Sequence, residues 1–274
     1  MSRGARLVSP LSIFAGLWRH RALAYQMARR EVVGRYRGSV MGLLWSFFHP
    51  VLMLAVYSFI FGEIFKARWR DGTGGHGEFA QILFAGLIVY TLFAECLTKA
   101  PSLIVGNVNF VKKVVFPLDV LPWVALGSSL FHFAMSLLVL FAFSLVVAGT
   151  VPWTAVLLPL VLLPLLLVTI GCAWFLASLG VFLRDVAQTI GILMSVMLFL
   201  SPIFYPVSAL PEAVRPLWHL NPLTFIIEQA RAVLIWGELP DWRGLALYAL
   251  AGWAVAWLGL AWFERTRPGF ADVL

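Results

Sequence analysis

Glu95 and Lys99 stand four residues apart near the end of an otherwise apolar run. A charge inside a segment long enough to cross a membrane marks an ion or substrate path by default. A Glu and a Lys at this spacing also make an ordinary helix pair, so both readings stay open. Ion-coupled transport uses more buried acids than this, which argues against a secondary transporter. The five histidines, His20, His49, His76, His132 and His219, fall in different segments, and no HExxH, GxSxG or paired-carboxylate spacing occurs. An embedded enzyme would have to assemble its site from distant segments. ATP hydrolysis needs a Gly-Lys-Ser/Thr loop, because the lysine must reach the β and γ phosphates. The four lysines are Lys66, Lys99, Lys112 and Lys113, and none follows a glycine. ATP-driven work would therefore fall to a separate subunit. Cys96 and Cys172 each lie in an apolar run without metal-ligand spacing, so no metal site is expected.

The elements that hold these residues are membrane spans. Of 274 residues, 61% are hydrophobic and 12% charged, about half the charge of a soluble domain. That composition, with apolar runs of roughly 20 residues, predicts an all-α integral membrane protein. Six spans are expected, at residues 41–65, 79–97, 118–148, 153–183, 186–205 and 244–263. They form one transmembrane domain over 40–264, between a cytoplasmic amphipathic segment at 1–39 and a cytoplasmic tail at 265–274. No apolar signal-peptide core precedes residue 40, so the first span is its own insertion signal. The net charge of +7 comes from residues at span boundaries rather than from a nucleic-acid face. With the N-terminus in the cytoplasm, fourteen of the twenty Lys and Arg residues fall on the inner side, which the positive-inside rule favours. The outer loop cations Lys66, Arg68 and Arg70 run against it. Both termini are placed inside.

Three connecting segments are not simple loops. Residues 9–30 read as an interfacial helix, with Ser9 as cap, Pro10 at its first turn, and Leu11, Phe14, Trp18 and Tyr25 on one face. Residues 100–117 mix apolar side chains with Lys112 and Lys113 on the cytoplasmic side. Val108, Phe110, Val111, Val114 and Val115 need a covering surface, either lipid or partner protein. Residues 206–242 are too polar to span and read as two short helices, near 209–220 and 222–236. Asn221-Pro222 caps the second, Gly237 stops it, and Glu228 and Arg231 lie on its polar side.

The most specific local pattern is the junction Arg29-Arg30-Glu31-Val32-Val33-Gly34-Arg35-Tyr36-Arg37-Gly38-Ser39, leading to Gly42, Trp45 and Pro50. With NVNFVKKVVFPLDVLP from Asn107, FLRDVAQTIGILMSVMLFLSPIFYPVSALP from Phe182 and NPLTFIIEQAR from Asn221, it resembles the ABC-2 type permeases of polysaccharide export. Those are the membrane subunits that move O-antigen, capsular polysaccharide or teichoic acid across the bacterial inner membrane. The resemblance implies a homodimer of six-span protomers, docked on two copies of an ATP-binding-cassette ATPase that uses ATP and Mg; this chain itself binds no cofactor. It implies that Val105–Phe116 is the coupling helix, with Asn107, Asn109, Phe110, Lys112, Lys113 and Phe116 meeting the ATPase. It implies a gate at the inner headgroup level, where Arg29, Arg30, Arg35, Tyr36 and Arg37 meet the pyrophosphate of a lipid-linked glycan. These arginines could equally serve topology alone. A periplasmic gate would include Tyr205, Asn221, Glu228 and Arg231. Two other functions are weighed beside polysaccharide export: a drug or small-lipid exporter, and a membrane enzyme acting on lipid-linked sugars.

Overall fold

Long apolar runs can satisfy their backbone in lipid only as helices or closed barrels. The computed structural model describes residues 12–64, 69, 76–112 and 116–274, and every regular element among them is helical. The expected cap at Ser9 and Pro10, the cations Lys66, Arg68, Arg70 and Lys113, and Val114 and Val115 lie outside the described residues.

Two helices, α1 (Ser12–Arg19) and α2 (Arg21–Arg35), open the chain. Ile13 is buried in the core, while Trp18 and Tyr25 face outward. Phe14 sets its ring 5.9 Å from Trp123 and 5.8 Å from Trp253. The pair thus packs against the outside of the bundle, with Ala24 and Val32 turned inward. Then come α3 (Trp45–Tyr57), α4 (His76–Lys99), the short α5 (Val108–Lys112), α6 (Leu121–Val147), α7 (Leu158–Phe182) and α8 (Val186–Leu200). The chain closes with α9 (Arg215–His219), α10 (Pro222–Arg231), α11 (Trp242–Thr266) and α12 (Phe270–Val273).

Among the described residues, five helical stretches are long and apolar enough to cross a membrane: Gly42–Phe61, Gly77–Ser102, Leu118–Val147, Trp153–Phe182 and Trp242–Val273. The expected fifth span, 186–205, differs. Its helix α8 stops at Leu200. Fifteen residues reach only about 22 Å, less than the hydrocarbon core. Pro202 is the reason: it disfavours helical backbone at Ser201, which is extended at ψ 148°.

The centre of the bundle is α4, whose Ala80, Leu83, Ala85, Val89 and Cys96 are fully enclosed. Between α7 and α11, close approach replaces side-chain interdigitation. A side chain at Gly259 would strike the backbone of Gly171, and one at Gly171 the backbone of Val255. Small residues at such contacts let helix backbones pack directly, which is how helices associate where lipid removes the hydrophobic drive. The last residues are held too: Phe270 is enclosed against Phe182 and Phe263.

The bundle has two ends. One gathers α2, α5 and α12. The other gathers α9, α10 and the start of α11. Gln229 on α10 accepts a 2.7 Å hydrogen bond from the Asp241 amide, and Thr154 donates to the Val233 carbonyl at 2.7 Å. These bonds seat α10 among the spans.

Candidate functional site

At the α2 end, a cavity of about 970 Å³ opens between α2, α3, α4, α6 and α8. Glu95 stands about one turn inside the end of α4. Its Oε1 accepts from Arg35 Nη1 at 2.5 Å, from His132 Nδ1 at 2.9 Å and from Lys99 Nζ at 3.1 Å. Lys99 also reaches Glu31 at 2.7 Å and Ser128 at 3.2 Å. Of the two readings of Glu95 and Lys99, the helix pair is present, but as one part of a larger cluster. The cluster ties α2 to α4 and α6. Ion pairs that share partners and line a cleft are candidate functional groups.

Arg35 and Tyr36 sit at the mouth of this cavity. The Tyr36 ring meets His132 edge-on at 6.1 Å. Burial raises the Tyr36 phenol above its usual pKa, with Arg35 opposing, so it stays a hydrogen-bond donor. Arg29, Arg30 and Arg37 are exposed and do not reach the cavity. Arg29 instead borders an apolar groove between α2 and α6, and Arg30 a small pocket shared with Glu31, Lys99, Asn107 and Phe110. The five-residue gate group therefore separates into two that face the cavity and three that do not.

In the segment after α4, Asn107 turns inward and donates to the Leu103 carbonyl at 2.9 Å. Asn109 and Lys112 are exposed. Phe110 stacks on Phe116 with centroids 4.4 Å apart and planes 11° from parallel, and both pack against the core. The chain thus covers part of the apolar surface for which a lipid or protein cover was expected. Arg267 donates to the Phe116 carbonyl at 3.2 Å and pins this segment to α12's approach.

At the opposite end the structure differs from the expected pattern. Arg231, placed by periodicity on the polar side of its helix, is 1% exposed. Its Nε donates to the Ile82 carbonyl at 2.9 Å, Nη1 to Pro202 at 2.7 Å and Nη2 to Ile203 at 3.0 Å. Trp69 lies 4.4 Å from its guanidinium carbon. The break after α8 frees the Pro202 and Ile203 carbonyls, and a buried carbonyl needs a donor. Gly86 leaves the room: a side chain there would strike Arg231. Asn221 does cap α10, as expected, accepting from the Leu223 amide at 2.9 Å. Its amide also donates to the Leu200 carbonyl at 3.1 Å and to Ser201 Oγ at 3.0 Å. Gly237 stops this helical stretch with φ +69°. The expected helix near 209–220 shortens to α9. Tyr205 donates to the Phe199 carbonyl at 2.6 Å and accepts from Trp218 Nε1 at 3.0 Å. Glu228 is half-buried on α10.

Sequence reasoning missed Glu31, His49, Ser129 and His132 as cavity residues. The signal for His132 was a histidine inside an apolar span, where a polar group requires a partner.

The family model described as ABC-2 type transporter matches residues 23–235. The chain is 29% identical over 258 residues to the O-antigen export system permease protein RfbA of Myxococcus xanthus, covering 93% of this chain and 96% of that protein. It is 27% identical over 250 residues to RfbA of Klebsiella pneumoniae, covering 90% and 93%. It is 26% identical over 241 residues to the polysialic acid transport protein KpsM of Escherichia coli, covering 87% and 90%.

Proposed function

The chain belongs to the ABC-2 type transporter family, and from that membership we propose that it is the membrane permease of an ATP-driven polysaccharide exporter. Its cargo on this reading is a lipid-linked glycan. Similarity along nearly the whole length to O-antigen and polysialic acid transport proteins is the observation that carries the reading. The alternatives, a drug or small-lipid exporter and an enzyme on lipid-linked sugars, have no observation of their own in favour.

On this reading the α2 end faces the cytoplasm of a bacterium and both termini lie there, in keeping with the concentration of arginines before residue 38. Helix α8 with the extended residues after it serves as a sixth, shortened crossing. A separate ATP-binding-cassette subunit, in two copies, uses ATP and Mg, since no lysine of this chain follows a glycine. Val105–Phe116 is its docking segment, through the exposed Asn109 and Lys112. A second copy of this chain would cover the outward apolar faces of α3 and α8, where Leu52, Val56, Ile192 and Val196 are exposed. Arg35 and Tyr36 receive the headgroup phosphates at the cavity mouth, because guanidinium binds phosphate oxygens in a two-point fork. Tilting of the two permease halves by the ATPase then moves the glycan. The residues around Tyr205, Asn221, Glu228 and Arg231 form the exit side.

Deleting the gene for this chain should abolish surface polysaccharide and leave lipid-linked glycan inside the cell, and restoring the chain should reverse both. Normal surface polysaccharide in the deletion strain, with retention of small hydrophobic compounds instead, would replace this reading by drug or lipid export. Changing Asn109 and Lys112 together to alanine should release the ATPase during purification while the permease still inserts.

A further inference from the structure

We propose that the 970 Å³ cavity seats the phosphate-bearing headgroup itself, and that Glu95 holds Arg35 as an internal stand-in for that phosphate until it arrives. The inference rests on the export reading above.

Four observations carry it. Glu95 is over-supplied, with Arg35, Lys99 and His132 all on one carboxylate. Removing a sole partner from an enclosed carboxylate leaves an uncompensated charge. Here Arg35 can leave and Glu95 still keeps Lys99 and His132. Second, Arg35 is the movable member: its side chain is 53% exposed, against 29% for Lys99 and 15% for His132. Third, a guanidinium carries five N–H donors, and a single one, on Nη1, is spent on Glu95. A phosphate group offers several oxygens in the fork geometry that this carboxylate does not use, so it competes on better terms. Fourth, two enclosed polar atoms on the cavity's residues have no protein partner, Ser129 Oγ and His132 Nε2. His132 gives Nδ1 to Glu95 and so leaves Nε2 for whatever enters. Buried polar groups are ordinarily hydrogen-bonded. Ser129 Oγ can donate to a phosphate oxygen, whereas His132 Nε2, with the ring proton on Nδ1, can accept from a sugar hydroxyl beside the diphosphate.

The cations and anions balance at rest: Arg35 and Lys99 face Glu31 and Glu95. An arriving diphosphate is therefore accepted by exchange, not by attraction to a bare positive site. That excludes anions too weak to displace a carboxylate. It also loosens α2 from α4 when the right headgroup binds, because Arg35 is one of the two ion-pair ties between those helices at this point.

The test uses the full chain in neutral phosphatidylcholine nanodiscs, titrated with farnesyl diphosphate, farnesol and inorganic pyrophosphate. Trp45 lines the cavity and reports binding by fluorescence. Farnesyl diphosphate should bind at least about tenfold more tightly than either other probe, a difference of one strong contact. Glu95→Gln frees Arg35 and should tighten binding at least about threefold, within the range of coupled neighbours. Arg35→Gln should weaken it at least about tenfold, and in the double variant Glu95→Gln should no longer tighten it. Glu31→Gln, which lets Lys99 serve Glu95 alone, should tighten binding in the same direction, and it keeps the test decisive if Glu95→Gln does not insert. Unchanged or weaker binding in the glutamate variants overturns the proposal, as does equal tightening with Arg35 absent. Pyrophosphate binding as tightly as farnesyl diphosphate overturns the lipid headgroup as the ligand. No binding by any variant overturns this site while leaving the export reading to the surface-polysaccharide assay. Normal surface polysaccharide in the deletion strain overturns the export reading whatever the titration gives.

Discussion

Arg35 and Arg231 are the same side chain in two opposite situations. Arg231 is enclosed, and all three of its nitrogens donate to main-chain carbonyls. Arg35 is half exposed and rests on one carboxylate that has two other partners. Carbonyls fixed in a backbone cannot be exchanged for a ligand. A carboxylate contact at a cavity mouth can. Arginine near a membrane boundary therefore indicates nothing by itself; what it donates to separates a structural rivet from a recognition group.

The largest effect expected from that contrast is on folding. Arg231→Met should strip donors from three buried carbonyls, each costing about 1–3 kcal/mol when left unpaired. The chain should fail to accumulate in the membrane. Lysine should not rescue it, since a point charge cannot replace the fork. Size-exclusion of a fluorescently tagged chain gives the answer, and a monodisperse, heat-stable Arg231→Met protein would erase the distinction. Next, Gly259→Leu should destabilise by about 1–3 kcal/mol through overpacking against the Gly171 backbone, seen as a lower melting temperature in detergent. Asn221→Ala removes the cap of α10 and should cost about 1 kcal/mol. It also frees the Leu200 carbonyl, and melting of the purified variant reads both. The smallest stability change is expected at Arg35→Gln, under about 1 kcal/mol for a half-exposed pair. If Arg35→Gln melted as low as Arg231→Met, both arginines would be structural.

Much of the fold was legible because apolar length and turn chemistry act locally. The cap at Asn221, the stop at Gly237 and four long spans after the first loop announce themselves within a few residues. Arg231 was not legible. Two of its three partners are carbonyls freed by the break at Pro202, nearly thirty residues earlier, and the third is that of Ile82 on α4; helical periodicity cannot register acceptors that far away. The shortness of α8 follows from the same proline. At the candidate site, Glu95 could be named from a charge inside an apolar span, and Arg35 and Tyr36 from the family resemblance. His132 and Glu31 could not, because only packing of α2 and α6 onto α4 brings them to the carboxylate. The stack of Phe110 on Phe116 was likewise hidden, since an apolar side chain in a loop looks the same whether its cover comes from the chain or from a partner.

That Arg35 handles the exported cargo is the central claim, and its most direct test is surface polysaccharide per unit of inserted permease in a strain whose only copy carries Arg35→Gln. The expected result is a normal amount of folded protein in the membrane with display of polysaccharide reduced by about tenfold or more, the value of one lost charged contact to phosphate. Full display at normal permease levels would show that Arg35 does not handle the cargo and would contradict the account.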